Sequence, residues 1–238
     1  MELSSLSAVV LCGGLGTRLR SVVADRQKTM ARIGEKPFLE ILIDWATGHG
    51  VRRFVLCTGY KGEQVSEFFG RARPGVEIVL SPEANPLGTA GAVRNCLPLL
   101  GAGPALVLNG DSFCPLDLPA FHRFHVKNAG SASLAVVEPG TRRDGGFLNL
   151  DARSRVLSFD EREYRPGRML NAGVYLLEPS ALAAIPPGPC SLEKEVLPGL
   201  IPQGVFAFAA PAPLYDIGTP ERLREFQDAY SASREMRS

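Results

Sequence analysis

Ala8-Val9-Val10-Leu11-Cys12-Gly13-Gly14-Leu15-Gly16-Thr17-Arg18-Leu19 is the stretch that decides the fold. Its first five residues are continuously apolar, as expected of a strand buried on both faces of a parallel sheet. The run then breaks into three glycines within four residues. Such glycines let the backbone approach a ligand closely and point successive N–H groups at it. At the carboxyl end of a strand, a loop of this kind is where open α/β sheets hold phosphates. Arg18 adds a rigid fork of donors for phosphate oxygens. No G-x-x-x-x-G-K-[ST] occurs, and Leu19 stands where a dinucleotide fingerprint needs its third glycine. Neither a P-loop nor a dehydrogenase site is therefore expected. A plain turn would carry the same glycines, but Thr17-Arg18 and the preceding strand favour a phosphate site.

Outward from this loop, short β-rich runs alternate with helical patterns. Pro37 opens a helix in which Phe38, Leu39, Ile41, Leu42, Trp45 and Ala46 recur at helical spacing, and Gly48 and Gly50 end it. Strands are expected over 54–58, 76–80 and 105–109, with helices over 62–69 and 89–96 between them. That alternation predicts right-handed βαβ units and a parallel sheet. The second half differs. A helix over 121–127 and a core strand over 133–137 precede a stretch, 139–173, rich in Gly, Arg, Asp and Glu. Strands near 147–150, 156–159 and 169–177 suggest a small antiparallel insertion or lid on the same sheet. Ser191 can cap a helix over 192–197, a late strand covers 206–210, and Thr219 caps a last helix beginning at Pro220. His122 and His125 lack a partner cluster of metal ligands and read as surface residues on one helix face.

The chain has 238 residues, enough for one large domain without disulfide or metal staples. A single domain over 1–230 is expected, with halves of about 1–115 and 116–230, and a frayed polar tail over 231–238. Lys+Arg is 26 and Asp+Glu is 25, a formal charge of +1. That balance gives no whole-protein field for nucleic acid or an anionic membrane. No apolar run approaches a membrane span, and the N-terminus has no basic n-region, so neither a membrane segment nor a signal peptide is expected. The five cysteines are odd in number and scattered, which reads as buried, reduced thiols in a cytoplasmic protein.

Two acids stand at element junctions: Asp111 in Asn109-Gly110-Asp111 after a buried strand, and Asp216 in Tyr215-Asp216-Ile217-Gly218-Thr219-Pro220 before a helix. Singly, each reads as a turn or capping aspartate. Beside a phosphate loop they suggest Mg²⁺, which takes one or two carboxylates plus substrate phosphates. Lys28, in Asp25-Arg26-Gln27-Lys28-Thr29, is by itself an ordinary solvated lysine. Residues 81–91 form a second glycine-containing loop that leads into a helix and carries Glu83 and Gly88.

Taken in order, these pieces resemble the sugar-1-phosphate nucleotidyltransferases. The matching stretches are Leu11–Leu19 in L-x-G-G-x-G-T-R-L, Lys28-Thr29-Met30 with Ile33 and Lys36-Pro37, and Leu87-Gly88-Thr89-Ala90-Gly91. Asn109-Gly110-Asp111, Asn171-Ala172-Gly173 and Asp216-Ile217-Gly218-Thr219-Pro220 follow in the family's order. The resemblance implies a mostly parallel, Rossmann-like central sheet flanked by helices (a glycosyltransferase-A-like α/β fold), with the antiparallel insertion binding sugar. It implies that Gly13, Gly14, Gly16 and Thr17 cradle a nucleoside triphosphate, with Leu11 and Asn109 beside them. Arg18 would neutralise the leaving pyrophosphate, Lys28 would steady the α-phosphate, and Asp111 and Asp216 would hold Mg²⁺. Glu83 and Gly88 lie where the family reads the base. A carboxylate suits the two adjacent N–H donors of guanine, so GTP is favoured over other triphosphates. Gly146, Glu161, Asn171 and Lys194 match sugar-contacting positions, so the second partner is a sugar 1-phosphate. Stretches 14–23, 36–40 and 191–198 are similar to the guanylyltransferase branch that uses a manno-heptose 1-phosphate for capsule or surface polysaccharide. A different base or sugar, or a silent nucleotide-binding subunit, are the alternatives, and a homodimer is a further possibility. Two departures stand out. The family's P-K-P is Gln27-Lys28-Thr29, which predicts a looser loop, and its E-K is Glu161-Arg162.

Overall fold

The computed structural model describes residues 2–14, 16, 19, 25–160 and 164–235, excepting the side chains of the last two. The first half contains β1 (Ser7–Leu11), β2 (Arg32–Ile33), β3 (Lys36–Pro37), α1 (Phe38–Gly48), β4 (Arg53–Thr58), α2 (Gly62–Phe69), β5 (Glu77–Pro82), α3 (Gly88–Asn95) and β6 (Ala105–Asn109). The second contains β7 (Ser112–Phe113), α4 (Leu118–Asn128), β8 (Ala132–Val137), β9 (Phe147–Leu150), β10 (Val156–Asp160), β11 (Met169–Leu177), α5 (Pro179–Ala183), α6 (Leu197–Leu200), β12 (Val205–Ala209), β13 (Tyr215–Asp216) and α7 (Pro220–Glu235).

Nine of these strands make one sheet. β5, β4, β1 and β6 lie side by side and parallel, with Val9 opposite both Val55 and Val107. β11 then runs antiparallel to β6, β8 antiparallel to β11, and β12 parallel to β8. The β9–β10 hairpin joins the first residues of β11 through Met169 and Leu170. This is the expected α/β architecture with an antiparallel insertion.

Alternate side chains of β1 explain its unbroken apolar sequence. Ala8 and Val10 face a core formed with α1, α2 and α4, whereas Val9 faces one formed with α3, α5 and α6. Both faces of the strand are thus covered, so it has no place for a polar alternation. A third cluster, holding Leu19, Ile33, Phe38, Ile217 and Phe226, seats α7 against the start of α1. Pro37 proves to be the N-cap of α1 and not its first helical residue.

Residues 231–235, expected in a polar tail, form the end of α7, which continues to Glu235, and 236–238 lie outside the described residues. The Ser231 and Ser233 hydroxyls donate to Gln227 O and Tyr230 O, and Tyr230 packs on Phe226. Contrary to expectation, the histidines are not on the surface. Leu118, Phe121, His122 and His125 form one buried stripe of α4. His125 Nε2–H donates to Glu178 Oε1 at 3.0 Å and Nδ1 accepts from Ser133 Oγ at 2.9 Å. This is the tautomer that an ionised carboxylate requires.

Candidate active site

Four parallel strands end at one rim. Leu11, Gly13, Gly14, Lys28, Glu83, Gly88, Asn109 and Asp111 line a single cavity of about 330 Å³ there. Asn109 Oδ1 is buried in this wall and, among the described residues, has no hydrogen-bond partner, which leaves an acceptor for a ligand's hydroxyl or amine. Gly16 does not line the cavity but shapes it. Its φ is +57°, and a Cβ there would stand 3.0 Å from Lys28 Cβ, so the glycine lets the loop close on the lysine. Thr17 and Arg18 lie outside the described residues.

Lys28 is far from solvated. Its side chain is 13 % exposed and Nζ donates to Asp111 Oδ2 at 2.5 Å. Gln27 fixes it there. The Gln27 side chain is buried, donates to Cys12 O, and accepts from Thr29 N at 2.6 Å and Thr29 Oγ1 at 2.5 Å. Its backbone N–H donates to Gln64 Oε1 on α2 at 2.7 Å, while Gln64 Nε2 donates to Asp25 O at 2.9 Å. These bonds tie down a loop position from which the family's proline is missing. Gln27 keeps the backbone a proline favours, φ −65° and ψ 141°, by hydrogen bonds instead of a ring. Only Thr29 is a local partner; Cys12 and Gln64 lie 15 and 37 residues away, where no local sequence signal reaches.

Glu83 is half-buried in the wall of the same cavity. Burial raises its carboxyl pKa, and Oε2 accepts from Leu87 N at 3.1 Å. Among the described residues, its Oε1 has no hydrogen-bond partner. Burial also pushes the Cys12 thiol far up, which leaves it protonated and unsuited to nucleophilic work.

A second network, missed in the sequence, joins the two halves. Thr89 Oγ1 donates to Glu193 Oε2 at 2.7 Å, Tyr175 OH to Glu193 Oε1 at 3.1 Å, and Asn171 Nδ2 to Tyr175 OH at 2.9 Å. Burial holds the Tyr175 phenol well above its usual pKa, so it remains a donor to the carboxylate. Asn171 begins a register shift in β11 and its backbone N–H donates to Gly146 O at 2.8 Å. Two of the expected sugar residues are thereby brought together. Lys194 is exposed on a π-turn (Leu192–Val196) and does not line this cavity, and Glu161 lies outside the described residues.

Asp216 does not line the cavity, but β13 pairs it with Ser112 on β7, and Ile217 N donates to Asp111 O at 3.0 Å. The two expected metal ligands thus sit on adjoining segments. Among the described residues no group of three His, Cys, Asp or Glu gathers anywhere. The donors present suit a hard cation that takes two carboxylates and completes its shell with phosphate oxygens; they do not suit a zinc-type site. Asp111 is exposed to solvent with Lys28 Nζ on Oδ2 and Ser112 Oγ on Oδ1 at 3.3 Å, and both oxygens of the more buried Asp216 are engaged by Arg142, Arg222 and Gly218 N.

A glycine loop, a lysine–aspartate pair and a half-buried glutamate thus line one cavity at the ends of the parallel strands. Residues 7–233 match the nucleotidyl transferase family, and the chain belongs to it. It is 37% identical over 172 residues to a D-glycero-alpha-D-manno-heptose 1-phosphate guanylyltransferase of Campylobacter jejuni, covering 72% of this chain and 76% of that one. It is 34% identical to a mannose-1-phosphate guanylyltransferase of Mycobacterium tuberculosis, covering 93% of this chain and 63% of that one. The crystal structure of HddC from Yersinia pseudotuberculosis superposes with a TM-score of 0.83 at 31% identity, over 94% of this chain and 99% of that one. The same protein has been solved with GMP-PN bound.

Proposed function

We propose that this chain transfers GMP from GTP to a D-glycero-D-manno-heptose 1-phosphate, releasing pyrophosphate and forming a GDP-heptose. The product would be an activated sugar for capsule or other surface polysaccharide, made in the cytoplasm. The observation that carries the guanine part is Glu83, a carboxylate on the cavity wall with an uncommitted oxygen. Guanine presents two adjacent N–H donors to such a group, and uracil or thymine presents one flanked by acceptors. The likeness to heptose guanylyltransferases supports the sugar.

In this reading, a sugar-phosphate oxygen attacks the α-phosphorus of GTP in line. A P–O bond forms to it as the bond to the β-phosphate oxygen breaks, and the electron pair leaves with pyrophosphate. The nucleophile is already an anion, so no general base is required. Positioning and charge neutralisation then supply most of the catalysis. The backbone of Gly13, Gly14 and Gly16 would cradle the triphosphate together with Thr17, and Arg18 would take up charge on the leaving group. Lys28, pre-set by Gln27 and Asp111, would hold the α-phosphate facing its attacker. Asn109 Oδ1 would accept a hydroxyl, and Gly146, Asn171, Glu161 and Lys194 would orient the sugar. Mg²⁺ on Asp111 and Asp216 would neutralise phosphate charge.

Pyrophosphate release should be measured with Mg²⁺ for GTP, ATP, UTP, CTP and dTTP, each paired with heptose, mannose and glucose 1-phosphates. The expected result is fastest release with GTP and the heptose phosphate. Faster release with mannose 1-phosphate would replace the sugar, and preference for another triphosphate would remove the guanine reading.

A further inference from the structure

Asp216 is the most heavily neutralised carboxylate of the site. Arg142 Nη2 donates to its Oδ2 at 2.5 Å, and Arg222 Nη1 reaches the same oxygen at 3.2 Å and Oδ1 at 3.4 Å. Gly218 N–H occupies Oδ1 at 2.8 Å. A divalent cation adding to this carboxylate would have to compete with both guanidinium groups, because like charges would crowd one partly buried anion.

The two arginines are not equally held. Arg222 is carried by α7 and donates through Nη2 to Asp144 Oδ1 at 2.5 Å, so a second carboxylate fixes it. That contact holds the Asp144 carboxyl below its usual pKa. Arg142 lies on the loop between β8 and β9, where Gly140 and Gly145 have φ of +55° and +125°. Its Nε is buried without a partner, and Asp216 is its only ion-pair partner among the described residues. Its fork is thus half-used, and it is the guanidinium that can leave.

We propose that Arg142 is a displaceable internal counter-ion. It occupies Asp216 in the free protein and gives the carboxylate up to the divalent cation. The inference rests on the reading that Asp216 holds that cation. It adds that metal binding at this site is a cation exchange, with an arginine as the outgoing ion. A freed guanidinium at this spot would then face incoming phosphate with all its donors available.

The test is Mn²⁺ binding, followed by electron paramagnetic resonance of the free ion, with no turnover required. R142Q should tighten Mn²⁺ about three- to tenfold, since a partly buried ion pair competing with the metal is removed. R142K, which keeps charge but loses the planar fork, should lie between and guards against a folding failure of the first variant. R143Q removes the same charge one residue away, from a guanidinium stacked 4.0 Å over the Tyr164 ring. It should change binding less than about twofold. D216N should weaken Mn²⁺ tenfold or more. Equal tightening by R143Q would reduce the effect to general charge and overturn the exchange. Unchanged or weaker binding in R142Q, with D216N still weakening it, would overturn the exchange and leave the metal reading standing. No effect of D216N would remove both.

Discussion

The two halves of the sheet solve the problem of placing a ligand differently. In the parallel half, β1, β4, β5 and β6 end together, and their backbone register alone puts Leu11, Glu83, Asn109 and Asp111 around one cavity. In the antiparallel half, strands end on both sides. There Asn171 is held by its side chain on Tyr175 OH as well as by its backbone on Gly146 O, while Asp216, on the separate β13–β7 pair beside that sheet, is held by two arginines. Parallel strands build a site from secondary structure, and mixed strands need a tertiary network to do the same. Glu193, bridging Thr89 and Tyr175, ties one solution to the other.

This contrast breaks most easily at Asp111, where the parallel half meets the chemistry. D111N should lower turnover by about 10²–10³-fold, the scale on which a group stabilising transition-state charge acts. Its melting temperature should stay within about 2 °C of the parent by calorimetry, because Asp111 is an accessible residue beyond the strand end. Undiminished pyrophosphate release would remove Asp111 from the site.

A smaller effect is expected at Gln27, which imports a side-chain network into the otherwise backbone-built half. Q27L strands Cys12 O and the Thr29 donors in a buried place, at about 1–3 kcal/mol for each unsatisfied group. We expect the melting temperature to fall by several degrees and kcat by about tenfold, with the KM for GTP less affected. A variant that loses stability but keeps kcat would show that Lys28 does not depend on this clamp.

The smallest effect probes the helix behind the antiparallel half. Burial lowers the pKa of both His122 and His125, and the Glu178 carboxylate only partly offsets it. The unfolded chain therefore takes up protons first as pH falls below 6.5, and stability drops through that window. A melting temperature that falls by a few degrees from pH 7.5 to 5.5 is expected, with H122L removing part of the fall. A flat profile in the parent would contradict the buried, neutral state of this pair.

Much of the parallel half is legible in the sequence. Strand 105–109, helix 62–69 and the cavity-lining glycines all fall where spacing puts them, because burial on both faces leaves little choice of residue. What escapes is what depends on distant partners. Gln27 looks like a weaker substitute for proline until Cys12 and Gln64 are seen around it. Lys28 reads as solvated until Asp111 is brought to it. His122 and His125 carried a readable signal, since they share the i, i+3, i+4, i+7 stripe with Leu118 and Phe121. Their polarity obscured it. Arg142 had no signal, because nothing in the sequence relates it to a carboxylate 74 residues further on.

In the proposed reaction, GTP would lie along the ends of the parallel strands, with its base at Glu83 and its phosphates between Lys28 and Asp111. A crystal structure with a non-hydrolysable GTP analogue and Mn²⁺ tests this most directly, through anomalous scattering from the metal. Guanine is expected on the Glu83 carboxylate, with a manganese peak against Asp111 and Asp216 and Arg142 withdrawn from Asp216. Nucleotide bound elsewhere, or with its base turned away from Glu83 and no metal at the two aspartates, would contradict it.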